Sequence, residues 1–260
     1  MEVFEVLFFY LSLFLYLFAN IYGFFVYFFK KEFYFKIIYK ITLLAFIFHF
    51  LTIIFRSLIS KHIPVIGNYE NILMGSFFLI IIILLFFKKE KLILPFLFSL
   101  SLNIILFGMA IFADAEKKPL FAALKSFWLY IHIIFAWLSY GAFTVAAGVS
   151  IAYLIKKEKP LDEIIFKLSA FGLVMDALMI IAGSIWAKDL WGSYWSWDPV
   201  ETWSLISFLL YGLILHLKIT LKIGGKTFAY LIIFSLITVL ISFWGVNFFM
   251  GKSLHIFNVG

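Results

Sequence analysis

The stretch W-G-S-Y-W-S-W-D-P-V-E-T-W, Trp191 to Trp203, puts four tryptophans into thirteen residues between two long apolar runs. Runs of that length read as membrane-spanning helices, and the stretch between them as a loop that presents flat apolar surface. Five of the chain's eight tryptophans fall between Trp186 and Trp203. An ordinary interfacial belt puts tryptophan on both faces of a membrane, so clustering on one side points to a surface that holds something flat. Membrane anchoring is the plainer alternative. Within D-P-V-E, Asp198 is placed as an N-cap, Pro199 as the first helical residue and Glu201 as the capping-box partner. Trp191 and Trp195 are four apart, so a short interfacial helix would set both on one face, with Trp197 following.

Outward from this loop, 65% of the residues are hydrophobic, 13% are charged and 36 are phenylalanine. One soluble core cannot hide that much apolar surface, and lipid must solvate it. Cysteine is absent, which excludes disulfides, thiolate metal sites and thiol redox chemistry by this chain itself. The net charge of +7 resides in short basic runs between apolar spans, a topology signal that argues against nucleic acid as a partner.

On a ruler of about 20 apolar residues per span, eight spans are expected, near 3–29, 37–59, 71–87, 92–113, 127–155, 164–187, 200–217 and 227–250. The first begins with Glu2 and Glu5 instead of a basic region and reads as a retained helix. Segments 30–40, 88–91, 156–167 and 218–226 carry 14 of the 21 basic residues and read as the cytoplasmic side. Both termini and the tryptophan loop then face outward. The expected fold class is all-α, a polytopic helical bundle forming a single membrane domain over 1–260, in which 1–118 carry less specific signals than 119–260.

His132 falls about five residues into the fifth span and His255 about five beyond the eighth, both on the tryptophan side. Either alone reads as a polar residue near water, but two beside an aromatic platform suggest axial ligation of a porphyrin iron. His216 lies 17 residues beyond Pro199, roughly 26 Å at 1.5 Å per residue, too far to share that site. It is either functional within the membrane or snorkelling beside Lys218. His49 and Asp176 fall near mid-span. His62 reads as a solvated loop histidine, and Glu70 with Asn71 as the start of the third helix.

The chain resembles the CcsA/ResC cytochrome c biogenesis proteins of the haem-handling superfamily, defined by a tryptophan-rich WWD motif. The resemblance is carried by F-W-L-Y-I-H ending at His132, G-S-I-W-A at 183–187 and the tryptophan stretch itself. L-I-L-H ending at His216, G-V-N-F-F-M-G-K-S-L-H ending at His255 and H-I-P-V-I-G-N-Y-E at 62–70 extend it. It is close from about Pro119 to Phe257, whereas 1–118 match mainly in hydropathy.

The resemblance implies that His132 and His255 are axial ligands of haem b, the transported substrate, at an external site. It also implies a platform of Trp191, Trp195, Trp197, Trp203, Tyr194 and Gly192, oriented by Asp198, Pro199 and Glu201. No metal other than haem iron is expected. His216 becomes one of two histidines of an intramembrane haem site, the other coming from a CcsB/ResB-like membrane protein in a heterodimer. The sequence departs from the family at Asp176, where an uncharged residue is expected. It departs again at Val200, where lysine is common, leaving Lys188 or Lys252 to meet a haem propionate.

The implied activity is haem transport and its presentation to apocytochrome c, whose C-x-x-C-H thiols add to the haem vinyl groups. The chain would be the haem-site subunit of a cytochrome c synthase (haem lyase). It would span the bacterial plasma (inner) membrane, or a thylakoid membrane, with the WWD loop outside. The alternatives are a haem exporter loading a haem chaperone, a quinol-linked membrane cytochrome and a structural scaffold.

Overall fold

The computed structural model describes residues 1–31, 34–88, 92–116 and 125–243. Among them are eight long helices and no strands: α1 Glu2–Phe28, α2 Phe35–Ser60, α3 Gly67–Phe86, α4 Ile93–Gly108, α5 Phe127–Lys156, α6 Lys159–Trp191, α7 Pro199–Thr220 and α8 Gly225–Leu240. A 3-10 turn, Met109–Phe112, prolongs α4. All eight are long and apolar enough to cross a membrane, and exposed Phe14, Phe25, Leu43, Leu209 and Phe234 give lipid the surface it solvates. The protein is a multi-pass helical membrane bundle.

Helix ends depart from the apolar ruler where polar turns extend a helix beyond lipid. α6 has 33 residues, roughly 50 Å at 1.5 Å per residue, against a hydrocarbon layer of about 30 Å. The helix is therefore longer than a perpendicular crossing of that layer needs. α3 begins at Gly67, ahead of the start expected at Glu70 and Asn71. The Asn71 side chain instead donates back to the Gly67 carbonyl at 3.0 Å.

The chain divides into two compact units, Met1–Leu120 and Phe121–Gly260. In the first, α1 packs against α2 and α4, and α3 against α2 and α4. One end of this unit is held by a buried charge cluster. Arg56 Nε donates to Glu70 Oε1 at 2.8 Å, and its Nη groups donate to the carbonyls of Ala115 and Glu116 at 2.8 and 3.2 Å. The guanidinium also lies 3.8 Å from Glu5 Oε1, which accepts from the Tyr69 hydroxyl at 3.0 Å. Glu70 Oε2 accepts the Ile66 amide at 2.8 Å. The His62 side chain is only 4% accessible, its Nδ1 2.8 Å from the Ile63 carbonyl and 4.0 Å from Glu70 Oε2. The expectation of a solvated histidine fails because the loop folds onto the buried carboxylate.

Mid-span His49 is fully buried and satisfied within the same unit. Its Nε2 lies 3.0 Å from the Leu73 carbonyl, so the proton sits there, and the Tyr16 hydroxyl approaches Nδ1 at 3.4 Å. Its ring packs 4.3 Å from that of Phe107. This is a core histidine.

In the second unit α5 lies along α6, and α8 packs on α5 and α7. Without a hydrophobic drive between helices in lipid, close approach depends on small residues, and α5 buries Ala142, Ala146, Ala147 and Ser150. Gly172 of α6 admits Phe143, whose ring would lie 2.6 Å from any added Cβ. Phe143 in turn stacks on Tyr211 of α7, with centroids 3.5 Å apart and planes at 12°.

Truncating Arg56 tests the charge cluster, because removal of the cation leaves two buried carboxylates uncompensated. Arg56→Ala should lower the stability of the purified protein by about 3–5 kcal/mol, read as an earlier unfolding transition by circular dichroism in detergent.

Candidate functional site

The tryptophan stretch spans the end of α6 and the start of α7, and its backbone is fixed from both sides. α6 stops because Gly192 adopts φ +83°, donating its N–H to the Lys188 carbonyl, a left-handed cap that glycine takes without steric cost. Lys188 Nζ donates to the Gly192 carbonyl at 2.8 Å and lies 5.5 Å from the Tyr194 ring centroid. Residues 192–198 are not helical. Trp191 thus ends α6 while Trp195 lies in the loop, and the short interfacial helix expected to align them is absent because Gly192 breaks it.

From the other side, Asp198 caps α7 and Pro199 opens it, with both halves of the capping box formed. Asp198 Oδ1 accepts the Val200 amide at 2.9 Å. Glu201 Oε2 accepts from the Ser196 amide at 2.8 Å, the Asp198 amide at 3.2 Å and Ser196 Oγ at 3.2 Å. Those two amides bracket Trp197, which is held at φ +59°, a left-handed conformation costing roughly 1–2 kcal/mol for a residue with Cβ. The carboxylate bonds offset that strain. They leave Trp197 69% exposed and perpendicular to Trp195, with ring centroids 5.9 Å apart.

Beneath the loop opens a cleft lined by His132, Gly183, Tyr194, Trp195, Glu201 and Ser204 among others. His132 Nδ1 lies 2.9 Å from the Met179 carbonyl. A carbonyl only accepts, so Nδ1 carries the proton and Nε2 the lone pair. The imidazole reaches this backbone because Gly183 has no side chain: a Cβ there would lie 2.6 Å from Nδ1 and 2.9 Å from Cε1. Trp186 stacks beside the imidazole at 6.2 Å and 22°, and Trp191 meets Trp186 edge-on at 5.2 Å.

The structure therefore gathers His132, Tyr194, Trp195 and Glu201 at one cleft. Trp191 backs it through Trp186, and half-buried Trp203 lies on α7 away from its lining. His216 is elsewhere, twelve residues along α7 from Ser204, or roughly 18 Å at 1.5 Å per residue. It is exposed on the same stripe as Leu209 and Leu213. His255 and Lys252 lie outside the described residues.

The sequence profile described as cytochrome C assembly protein matches residues 65–255, most of the chain and the whole of the cleft. The chain belongs to the cytochrome c assembly family. It is 31% identical to cytochrome c biogenesis protein CcsA of Guillardia theta, over 77% of this chain and 78% of that one. It is 29% identical to CcsA of Gloeobacter violaceus, over 77% and 80%. Protein NrfI of Wolinella succinogenes is 35% identical over 84% of this chain, which spans only 26% of that longer protein. A solved structure of cytochrome c haem lyase CcmF superposes with a TM-score of 0.77 over 93% of this chain and 46% of its own, at 17% identity. The last shows a shared fold.

Two parts of this cleft, the Met179 carbonyl and Ser204, are not legible as a motif, and the G-S-I-W-A run that Gly183 heads does not reveal its contact with His132. Gly183 gives the one faint signal, a glycine in a helix interior where it costs about 1 kcal/mol relative to alanine. Gly183→Ala should push the imidazole off the Met179 carbonyl. Nitrogen NMR of histidine-labelled protein should then show loss of the Nδ1–H tautomer at His132, with helix content unchanged.

Proposed function

We propose that this cleft presents haem to apocytochrome c, with His132 and His255 as the two axial ligands of the iron. The observation that carries the reading is the His132 imidazole. It lines an aromatic cleft, its Nδ1–H is given to a backbone carbonyl, and its Nε2 lone pair is the one a metal takes. Trp195 and Tyr194 supply flat apolar contact for the macrocycle. Glu201 and Asp198 act on the loop backbone, and so orient the platform without touching the reacting atoms. Lys188 sits at the rim, where its charge can meet a propionate while holding the Gly192 carbonyl. Lys252 is the second candidate for that contact.

The reaction is addition of the two C-x-x-C-H thiols of the apocytochrome to the haem vinyl groups, each S–H adding across a C=C. The chain contributes positioning and iron ligation, and the sulfur comes from the substrate, in accord with the absence of cysteine. In this scheme the cleft faces the periplasm or its equivalent, across a bacterial plasma membrane or a thylakoid membrane. His216, exposed on α7, is the half of an intramembrane haem site that a CcsB/ResB-like partner completes.

Absorption spectroscopy of the protein purified with its partner tests the ligand assignment. Two imidazoles make the reduced iron six-coordinate and low-spin, so His132→Ala and His255→Ala should each open a position to carbon monoxide and abolish cytochrome c maturation. Trp195→Ala should lower haem content with the ligand set unchanged. His216→Ala should lower total haem, because it acts upstream of the cleft. Unaltered six-coordinate spectra and full maturation in both His132→Ala and His255→Ala would overturn the reading.

A further inference from the structure

Asp176 is a carboxyl that the haem reading leaves unused. It is fully buried in α6, seven residues before Gly183, or roughly 10 Å below the cleft at 1.5 Å per residue. The groups that face it among the described residues are Ser139 and Tyr140 of α5 and Tyr211 of α7. None is a cation. Ser139 is its short-range polar neighbour, yet neither carboxyl oxygen closes a hydrogen bond of ordinary geometry, and neither do Ser139 Oγ or the Tyr211 hydroxyl. A carboxylate held this way is costly unless positive charge is supplied nearby.

Buried hydroxyls connect this neighbourhood to the cleft. The Tyr140 hydroxyl lies 3.1 Å from Ser242 Oγ and 3.4 Å from Ser204 Oγ, and the two serines are 3.1 Å apart. Ser204 lines the cleft itself, beside Glu201. Each hydroxyl can both donate and accept, so the row can relay a proton from the cleft as far as Tyr140, which feels the Asp176 charge without a hydrogen bond to it.

We propose that Asp176 is a proton-exchange site coupled through Tyr140 and Ser204 to the charge of whatever occupies the cleft. The inference rests on the haem reading for the identity of that charge. Ferric haem brings one positive charge more than ferrous haem and favours the Asp176 carboxylate. On reduction the iron takes one electron from an external one-electron donor. Asp176 takes one proton from water by way of the cleft, leaving ferrous haem and a carboxylic acid. Because proton uptake accompanies reduction, the reduction potential of the bound haem falls as pH rises.

The test is a redox titration of the haem-loaded protein with its partner, using dithionite as the electron donor at a series of pH values. Asp176→Asn keeps the shape and neutrality of the protonated acid but cannot exchange a proton. It should retain haem and its spectrum while losing the pH dependence of the potential, which separates Asp176 from Glu201. In redox-difference infrared spectra, the carboxylic C=O band that appears on reduction should be absent from Asp176→Asn. Tyr140→Phe should slow proton uptake after rapid reduction. A pH dependence surviving in Asp176→Asn, or a pH-independent potential in the unaltered haem-loaded protein, overturns the inference while leaving the haem reading intact. A protein that never binds haem overturns the haem reading, and the inference falls with it.

Discussion

Lipid cannot hydrogen-bond a peptide group, and most of this protein's architecture follows from that fact. Every amide within the hydrocarbon layer must find its partner inside its own segment, so each described span is a helix. Irregular backbone is confined to the ends, where a side chain or a cap can satisfy it. The tryptophan stretch is the clearest case. Its seven non-helical residues, 192–198, are held by the Gly192 cap on one side and the Glu201 carboxylate on the other. A flat aromatic surface can be presented there only because those bonds replace the helix.

The same solvent decides how helices approach one another. Association in lipid gains nothing from hiding apolar surface, so glycine and other small residues set the spacing. Gly172 and Gly183, both on α6, use that closeness for different ends. At Gly172 it admits the Phe143 ring, and at Gly183 it lets an imidazole reach backbone. The second contact fixes a tautomer and therefore which nitrogen carries the lone pair. Helix spacing and the tautomer of a ring are thus settled by two side chains that α6 lacks.

Buried polar groups in the two units are handled in contrasting ways. Arg56, Glu70, Glu5 and Tyr69 satisfy one another and tie loop backbone to helix ends in the first unit. His49 likewise disposes of its polarity between a carbonyl and a hydroxyl. Asp176 in the second unit has hydroxyl neighbours and no cation among the described residues. A satisfied cluster is structural, whereas a carboxyl whose charge is left to its surroundings responds when they change. The difference lies in the partners, and no residue type announces it.

The sequence by itself determined whatever depends on near neighbours or on totals. Hydropathy over about 20 residues locates eight spans, because transfer to lipid is additive along a helix. The D-P-V-E box is visible because its hydrogen bonds join residues three apart. The tryptophan motif with its ordered histidines carried the family. Only the tertiary structure decided that Gly192 breaks the helix before Trp195, that the His62 side chain is buried near Glu70 and that α6 runs unbroken from Lys159 to Trp191. Only it brought Met179, Gly183 and Ser204 to His132, and set Asp176 against tyrosines of two other helices. These contacts join residues tens of positions apart, and their existence depends on the distance between helices, which no local pattern encodes.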